Sequence, residues 1–166
     1  QGKALYVGIS NYNTEQTSKI KKIFDELKTP FIINQPSYSM LNRWIEEDGL
    51  KDYAYENGLG LAVFSPLAQG LLTDKYLKTN TGSSSRPWMK SQPDENTLKK
   101  LKKLNEIAAN RGQKLSQMAL SWVLRDDKIT TVLIGASRPE QITENLQAVF
   151  KTDFSQEELT AIEDTL

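Results

Sequence analysis

The chain contains no cysteine and no histidine among its 166 residues. The first absence excludes disulfides and thiolate metal sites and fits a cytoplasmic setting. The second excludes more, because histidine is the commonest general base near neutral pH and the commonest metal ligand. An excess of one charge is also missing. Twenty-one basic residues face 21 acidic ones, a formal net charge of zero, which argues against broad attraction to nucleic acid or to an anionic membrane. No apolar run approaches the roughly twenty residues of a membrane span, and the opening Gln1-Gly2-Lys3 does not read as a secretory leader. What remains, 38% hydrophobic and 25% charged, is ordinary globular composition, enough for one domain with a real core. No linker divides it, so residues 1–166 read as a single segment.

Four times the chain writes a short apolar strand and follows it with amphipathic helix. The strands read Ala4 to Ser10, Phe31 to Gln35, Leu61 to Ser65 and Thr130 to Ala136. Near-continuous apolar runs separated by helices describe parallel strands buried on both faces, and four β-then-α units amount to half of an eight-unit barrel. Thr14 is a candidate cap for a helix through about Lys28, with Ile20, Ile23, Phe24 and Leu27 on one face. Pro30 stops it. Further helices are expected near Asn42 to Glu56, closed by Asn57-Gly58, then Asp94 to Asn110, Ser116 to Asp126 and Pro139 to Phe150. Ser155-Gln156-Glu157-Glu158 is a capping box for a last one. Between Leu71 and Pro93 lies the least regular stretch, long enough to be functional or disordered.

Parallel α/β architectures place their chemistry at the carboxyl ends of the strands. Those ends read Ser10-Asn11, Asn34-Gln35, Ser65-Pro66-Leu67-Ala68-Gln69-Gly70 and Gly135-Ala136-Ser137-Arg138. Successive hydroxyls and carboxamides suit a neutral group that both donates and accepts hydrogen bonds, such as another carboxamide. There is no obvious acid or base among them, and no metal set.

In order along the chain, Gly8-Ile9-Ser10-Asn11, Asn34-Gln35-Pro36-Ser37-Tyr38, Phe64 to Gly70 and the run Ile134 to Leu146 resemble the second-half motifs of the aldo-keto reductases, in the bacterial branch related to potassium-channel β subunits. The resemblance covers essentially the whole chain. It implies strands five to eight of an NADPH-dependent (β/α)8 barrel that reduces aldehydes or ketones. On that reading Ser10, Asn11 and Gln35 hold the nicotinamide carboxamide, and Phe64 stacks beneath the ring. Ser65, Pro66, Leu67, Gln69 and Gly70 follow the pyrophosphate, with Lys75 and Arg86 closing over it. Gly135, Ser137, Arg138, Gln141, Glu144 and Asn145 take the adenosine and its 2′-phosphate. Each assignment makes chemical sense: Phe64 offers a flat apolar face, Arg138 can stack on adenine and pair with phosphate, and Pro139 opens a helix whose N-terminus favours an anion. The family's catalytic Asp, Tyr, Lys and His belong to the first half of its barrel, and no segment here matches them.

Taken singly these motifs have plainer readings. Ser10-Asn11 is ordinary turn chemistry, Phe64 is core, and Lys75 and Arg86 are solvated charge. Trp44, Trp88 and Trp122 read as packing residues rather than stacking platforms for nucleic acid. Two functions stay open: the cofactor-binding half of a carbonyl reductase, and a catalytically silent half-barrel that only self-associates. A flavodoxin-like sheet is disfavoured because no phosphate-cradling glycine-rich turn follows the first strand. A lone half leaves two strand edges and an interior face open, so a homodimer or a missing amino-terminal half is expected at seams bearing Ile9 and Val132.

Overall fold

The computed structural model describes residues 2–77 and 93–166. Four strands, β1 (Val7–Ser10), β2 (Phe31–Gln35), β3 (Gly60–Val63) and β4 (Thr131–Val132), form one parallel sheet in the order β1-β2-β3-β4. Each parallel step needs a crossover, and helices supply it. α1 (Thr14–Glu26) joins β1 to β2, while α2 (Trp44–Glu47) and α3 (Leu50–Glu56) join β2 to β3. α4 (Glu95–Asn110) and α5 (Leu115–Val123) precede β4, and α6 (Pro139–Leu146) and α7 (Gln156–Glu163) follow it. No described helix is long and apolar enough to cross a membrane.

The sheet has two unlike faces. A Cβ added at Gly8 would stand 2.6 Å from Ile33 Cγ2, and one added at Gly60 would stand 3.5 Å from Ile33 Cγ1, so these three residues share a face. Strand alternation adds Ser10, Gln35, Ala62 and Phe64 to it. Thr131, paired with Ala62, brings in Leu133. Ser10, Thr131 and Leu133 are exposed here. Asn34, Leu61 and Val63 point the other way and are wholly buried. On that side lies the core, where Leu50, Leu101, Leu104, Leu115, Met118 and Trp122 close over the sheet.

β2 changes phase along its length. Val7 pairs with Phe31 but Gly8 pairs with Ile33, so Ile32 is an extra residue, a bulge. Phe31 therefore faces α1, its ring 5.4 Å from that of Phe24, although it stands two residues from inward-facing Ile33.

Several boundaries differ from expectation. Asn13, not Thr14, caps α1: its Oδ1 accepts from Gln16 N at 2.9 Å, and Gln16 Oε1 accepts from Asn13 N at 3.1 Å. Thr14 instead gives its amide and hydroxyl to Asp48, at 2.7 and 2.6 Å. The helix expected over 42–56 is two, parted by Gly49 at φ +79°. The one expected from Pro139 to Phe150 tightens into a 3₁₀ turn at Gln147–Phe150. β1 begins only at Val7, whose N–H reaches the carbonyl of Pro30. β4 ends at Val132 because the neighbouring chain bends at Ser65, φ +56°, after Leu133 N has donated to Val63 O. The capping box at Ser155 forms as read.

Candidate functional site

The carboxyl ends of β1, β2 and β3 meet on the open face. Ser10 Oγ and the Asn11 backbone N–H both donate to the carbonyl of Gln35, at 2.9 and 3.2 Å. Asn11, at φ +57°, turns its Oδ1 to accept from Ser37 N at 3.3 Å. The Asn11 amide group donates to Ser10 Oγ at 3.4 Å, and no described residue hydrogen-bonds to the Gln35 carboxamide, which is left available. Donors and acceptors thus stand together where a ligand carboxamide needs both. Asn34, the neighbouring amide, is spent differently: its Nδ2 donates inside the core to Tyr12 O at 2.9 Å and to Thr17 Oγ1 at 3.2 Å.

Phe64 lies next on the same face, half-buried and with no stacked aromatic partner among the described residues. After it the backbone is strained. Ser65, Ala68 and Gln69 adopt φ of +56°, +47° and +57°, followed by Gly70 at +92°. Left-handed backbone at non-glycine residues costs about 1–2 kcal/mol each, and such outliers cluster at ligand-clamping turns. Hydrogen bonds hold the turn: Ala68 N to Ser65 O, Gly70 N to Leu67 O and Leu72 N to Leu67 O, at 3.0, 2.9 and 3.2 Å. Pro66 is buried, Leu67 is half-buried against the core, and Ser65 and Gln69 are exposed. Lys75 is exposed, its ammonium over the Tyr76 ring. Arg86 and Trp88 lie outside the described residues. Ala68 was missed by the sequence, since nothing in its identity signals a positive φ.

At the carboxyl end of β4, Gly135, Ser137 and Arg138 are exposed, and the Arg138 guanidinium has no ion-pair partner among the described residues. Gln141 is engaged: its Oε1 accepts from Ser137 N at 2.8 Å, Ser137 Oγ at 3.2 Å and Arg138 N at 3.3 Å, fastening the start of α6. Glu144 pairs with Lys114 at 2.8 Å, and Asn145 is buried. Among the described residues, Arg138 is therefore the freest charged group at this end, while Ser137 is tied to Gln141 through both its amide and its hydroxyl.

A second polar cluster lies in the helical layer. The hydroxyl of wholly buried Tyr38 donates to Glu46 Oε1 at 2.5 Å and accepts from Arg125 at 3.0 Å. Arg125 and Arg43 also donate to Glu46, at 2.7 and 2.6 Å. Lys51 joins Asp126 at 2.6 Å. Burial pushes the Tyr38 phenol well above its ordinary range, only partly offset by the Arg125 charge. Burial pushes the Glu46 carboxyl upward too, but hydrogen bonds from Tyr38, Arg125 and Arg43 outweigh it and hold the pKa at about 2. Tyr38 is thus a fixed phenol with no route to a ligand. Its backbone N–H meets Phe64 O at 3.1 Å, so the cluster anchors the segment beside the site. A cavity of about 320 Å³ near Arg43, Glu47, Lys100 and Glu163 contains none of the sequence-predicted site residues.

Four parallel β/α units with an amide-lined open face define a half-barrel of the α/β class. The Aldo/keto reductase family model matches residues 1–166, and the chain belongs to that family. It is 49% identical over 170 residues to L-glyceraldehyde 3-phosphate reductase of Escherichia coli K12, covering 98% of this chain and 49% of that protein. It is 32% identical to a probable voltage-gated potassium channel subunit beta of Oryza sativa, covering 89% of this chain and 48% of the other. Among solved structures, a glycerol dehydrogenase from Gluconobacter oxydans superposes with TM-score 0.76 at 27% identity, over 96% of this chain and 48% of that one. A thermostable aldo-keto reductase in complex with the inhibitor epalrestat gives 0.70 at 25%, over 97% and 48%. The chain spans about half the length of the relatives it matches.

Proposed function

We propose that this chain is the dinucleotide-binding half of an NADPH-dependent carbonyl reductase, acting on an aldehyde or ketone. The observation that carries the reading is the meeting of Ser10, Asn11, Gln35 and Phe64 on one open face at adjacent strand ends. The Gln35 carboxamide and Arg138, neither with a side-chain partner among the described residues, fit the two ends of such a cofactor. Ser10, Asn11 and Gln35 hold the nicotinamide carboxamide and Phe64 supports its ring. The left-handed turn from Ser65 to Gly70, with Lys75, follows the pyrophosphate. Gly135, Ser137 and Arg138 take the adenosine and 2′-phosphate, with Gln141, Glu144 and Asn145 shaping the helix beneath.

Bound NADPH supplies the hydride. The residues of this chain orient it and leave the opposite side open. Proton donation to the developing alkoxide needs a positioned acid, and the polar groups of the described residues on the open face are amides and hydroxyls, so turnover requires the complementary half of a barrel. A small phosphorylated aldehyde is the first substrate to try, since the Escherichia coli relative is an L-glyceraldehyde 3-phosphate reductase. The lack of cysteine supports a cytoplasmic setting. NMR of the 166-residue chain with millimolar NADPH is the test. Amide shifts are expected at Ser10, Asn11, Gln35 and the Ser65–Gly70 turn; saturation elsewhere, or none, would overturn the reading. A silent, self-associating half-barrel is the competing reading, favoured by the exposed apolar residues beside the sheet edges, and it predicts no shifts at those amides.

A further inference from the structure

Ser37 joins the amide side of the open face to its ring side, and both of its peptide groups are spent in doing so. The peptide entering it gives its N–H to Asn11 Oδ1 at 3.3 Å, while the carbonyl of that peptide, on Pro36, accepts from Phe64 N at 3.0 Å. The peptide leaving it is held from both sides as well. Tyr38 N donates to Phe64 O at 3.1 Å, and the Ser37 carbonyl accepts from Trp44 Nε1 at 2.8 Å. The same indole N–H reaches Ser37 Oγ at 3.2 Å, and Asn42 Nδ2 reaches that oxygen at 3.0 Å. Trp44 can fold back over seven residues because Ser39 and Asn42 exchange N–H to carbonyl bonds at 3.0 and 3.1 Å, closing the loop ahead of α2. Its ring packs against the core as a packing residue should, but its N–H has this separate partner.

The consequence falls on Asn11. A half-turn of its side-chain amide would exchange oxygen for nitrogen at almost no cost in shape, so only hydrogen bonds decide which of the two faces a ligand. With Oδ1 accepting from Ser37 N, the amide group is turned toward Ser10, whose Oγ takes one of its two hydrogens at 3.4 Å. The exchanged form would set an N–H of Asn11 against the N–H of Ser37 and leave a donor without its acceptor. Ser37 thus dictates that Asn11 offers hydrogen, and Ser37 keeps its own direction because it is clamped between Phe64 and Trp44.

We infer that Trp44 is a positioning residue for the open face: acting through Ser37, its indole N–H fixes Asn11 with a hydrogen presented to the carboxamide oxygen of a nicotinamide ring. The identity of the ligand rests on the cofactor reading above, whereas the coupling of Trp44 to Asn11 does not.

Trp44→Phe keeps an aromatic ring and removes the N–H. In protein isotope-labelled at asparagine and recorded without ligand, the Asn11 side-chain amide signals are expected to move in Trp44→Phe. They should stay in place in Asn42→Ala, since Asn42 reaches the Ser37 hydroxyl and neither of its peptides. Titration with oxidised NADP and with its thionicotinamide analogue then reads the ligand. Sulfur accepts hydrogen bonds weakly, so only the oxygen-bearing cofactor gains from a correctly turned Asn11. Trp44→Phe should weaken NADP about fivefold, the worth of one hydrogen bond, and the thio analogue less than about twofold; a general loss of structure would weaken both alike. The natural protein supplies a measurement that needs no variant. Coupling is reciprocal, so exchange of the Trp44 indole hydrogen with solvent should be slower with NADP bound than with the thio analogue bound. Unmoved Asn11 signals in Trp44→Phe, equal losses for the two cofactors, or indole exchange indifferent to bound NADP would each overturn the inference and leave the cofactor reading standing. Moved Asn11 signals in a protein that responds to neither cofactor would overturn the cofactor reading and bear out the coupling.

Discussion

Arg138 stands exposed, with no ion-pair partner among the described residues, beside the opening of α6, whereas Gln141 and Glu144, three and six residues on, are occupied by internal bonds. A guanidinium grips phosphate in a forked geometry that lysine and amides lack. Arg138→Ala is therefore expected to weaken NADPH binding at least fivefold more than NADH binding, read by fluorescence titration of both; equal losses would remove the 2′-phosphate assignment. The buried cluster makes a different kind of claim. Glu46 has a folded pKa of about 2, below its ordinary 4.5, so the stabilisation it contributes is complete above about pH 4.5 and is lost as pH falls toward 2. Urea midpoints measured from pH 6 to pH 2 should fall steeply in the natural chain and more gently in Glu46→Gln, which starts lower at neutral pH because Arg43 and Arg125 lose their counter-charge. Of these residues, Arg138 is singled out in sequence by its motif alone. Glu46 is not, since its partners come from Tyr38, eight residues away, and Arg125, seventy-nine away.

Strand and helix identity followed from apolar period and from prolines and glycines, and all four strands appear where the apolar runs stand. Their ends depended on neighbours. Residues 4–6 and 133–136 have the composition of strand, yet β2 and β3 offer them almost no ladder to join. Sequence alone reads one helix across 42–56, because Glu-Asp-Gly-Leu contains nothing that forbids continuation. Only the tie from Thr14 to Asp48, closing the end of α2 against α1, dictates the turn at Gly49. No atom lies within 4 Å of where a Gly49 Cβ would stand, so substitution there tests backbone conformation alone. Gly49→Ala is expected to cost about 1 kcal/mol in thermal or urea unfolding. A neutral or stabilising result would mean that α2 and α3 can run on as one helix.

For the whole molecule, the purified chain is expected to oxidise NADPH with a reactive aldehyde such as a nitrobenzaldehyde no faster than the uncatalysed rate. A positioned acid typically contributes about 10²–10⁴-fold, and none stands on the open face among the described residues. Activity that follows the protein peak through two columns would overturn this. The half-barrel plan was legible because buried parallel strands are apolar throughout, but that same uniformity hid the phase of β2, as Phe31-Ile32-Ile33 shows no alternation to read. The extra residue there reconciles two demands that an unbroken strand could not meet together: Phe31 must reach Phe24, and Asn34 must reach Tyr12 and Thr17. With Asn34 turned to the helices, Gln35 is left for the other side. Ile32 thus acts as a spacer that decides which of two adjacent carboxamides is built into the core and which is left on the open face. Deleting it would leave every chemical group of the site in the chain and set the fastening of Phe31 against the outward reach of Gln35.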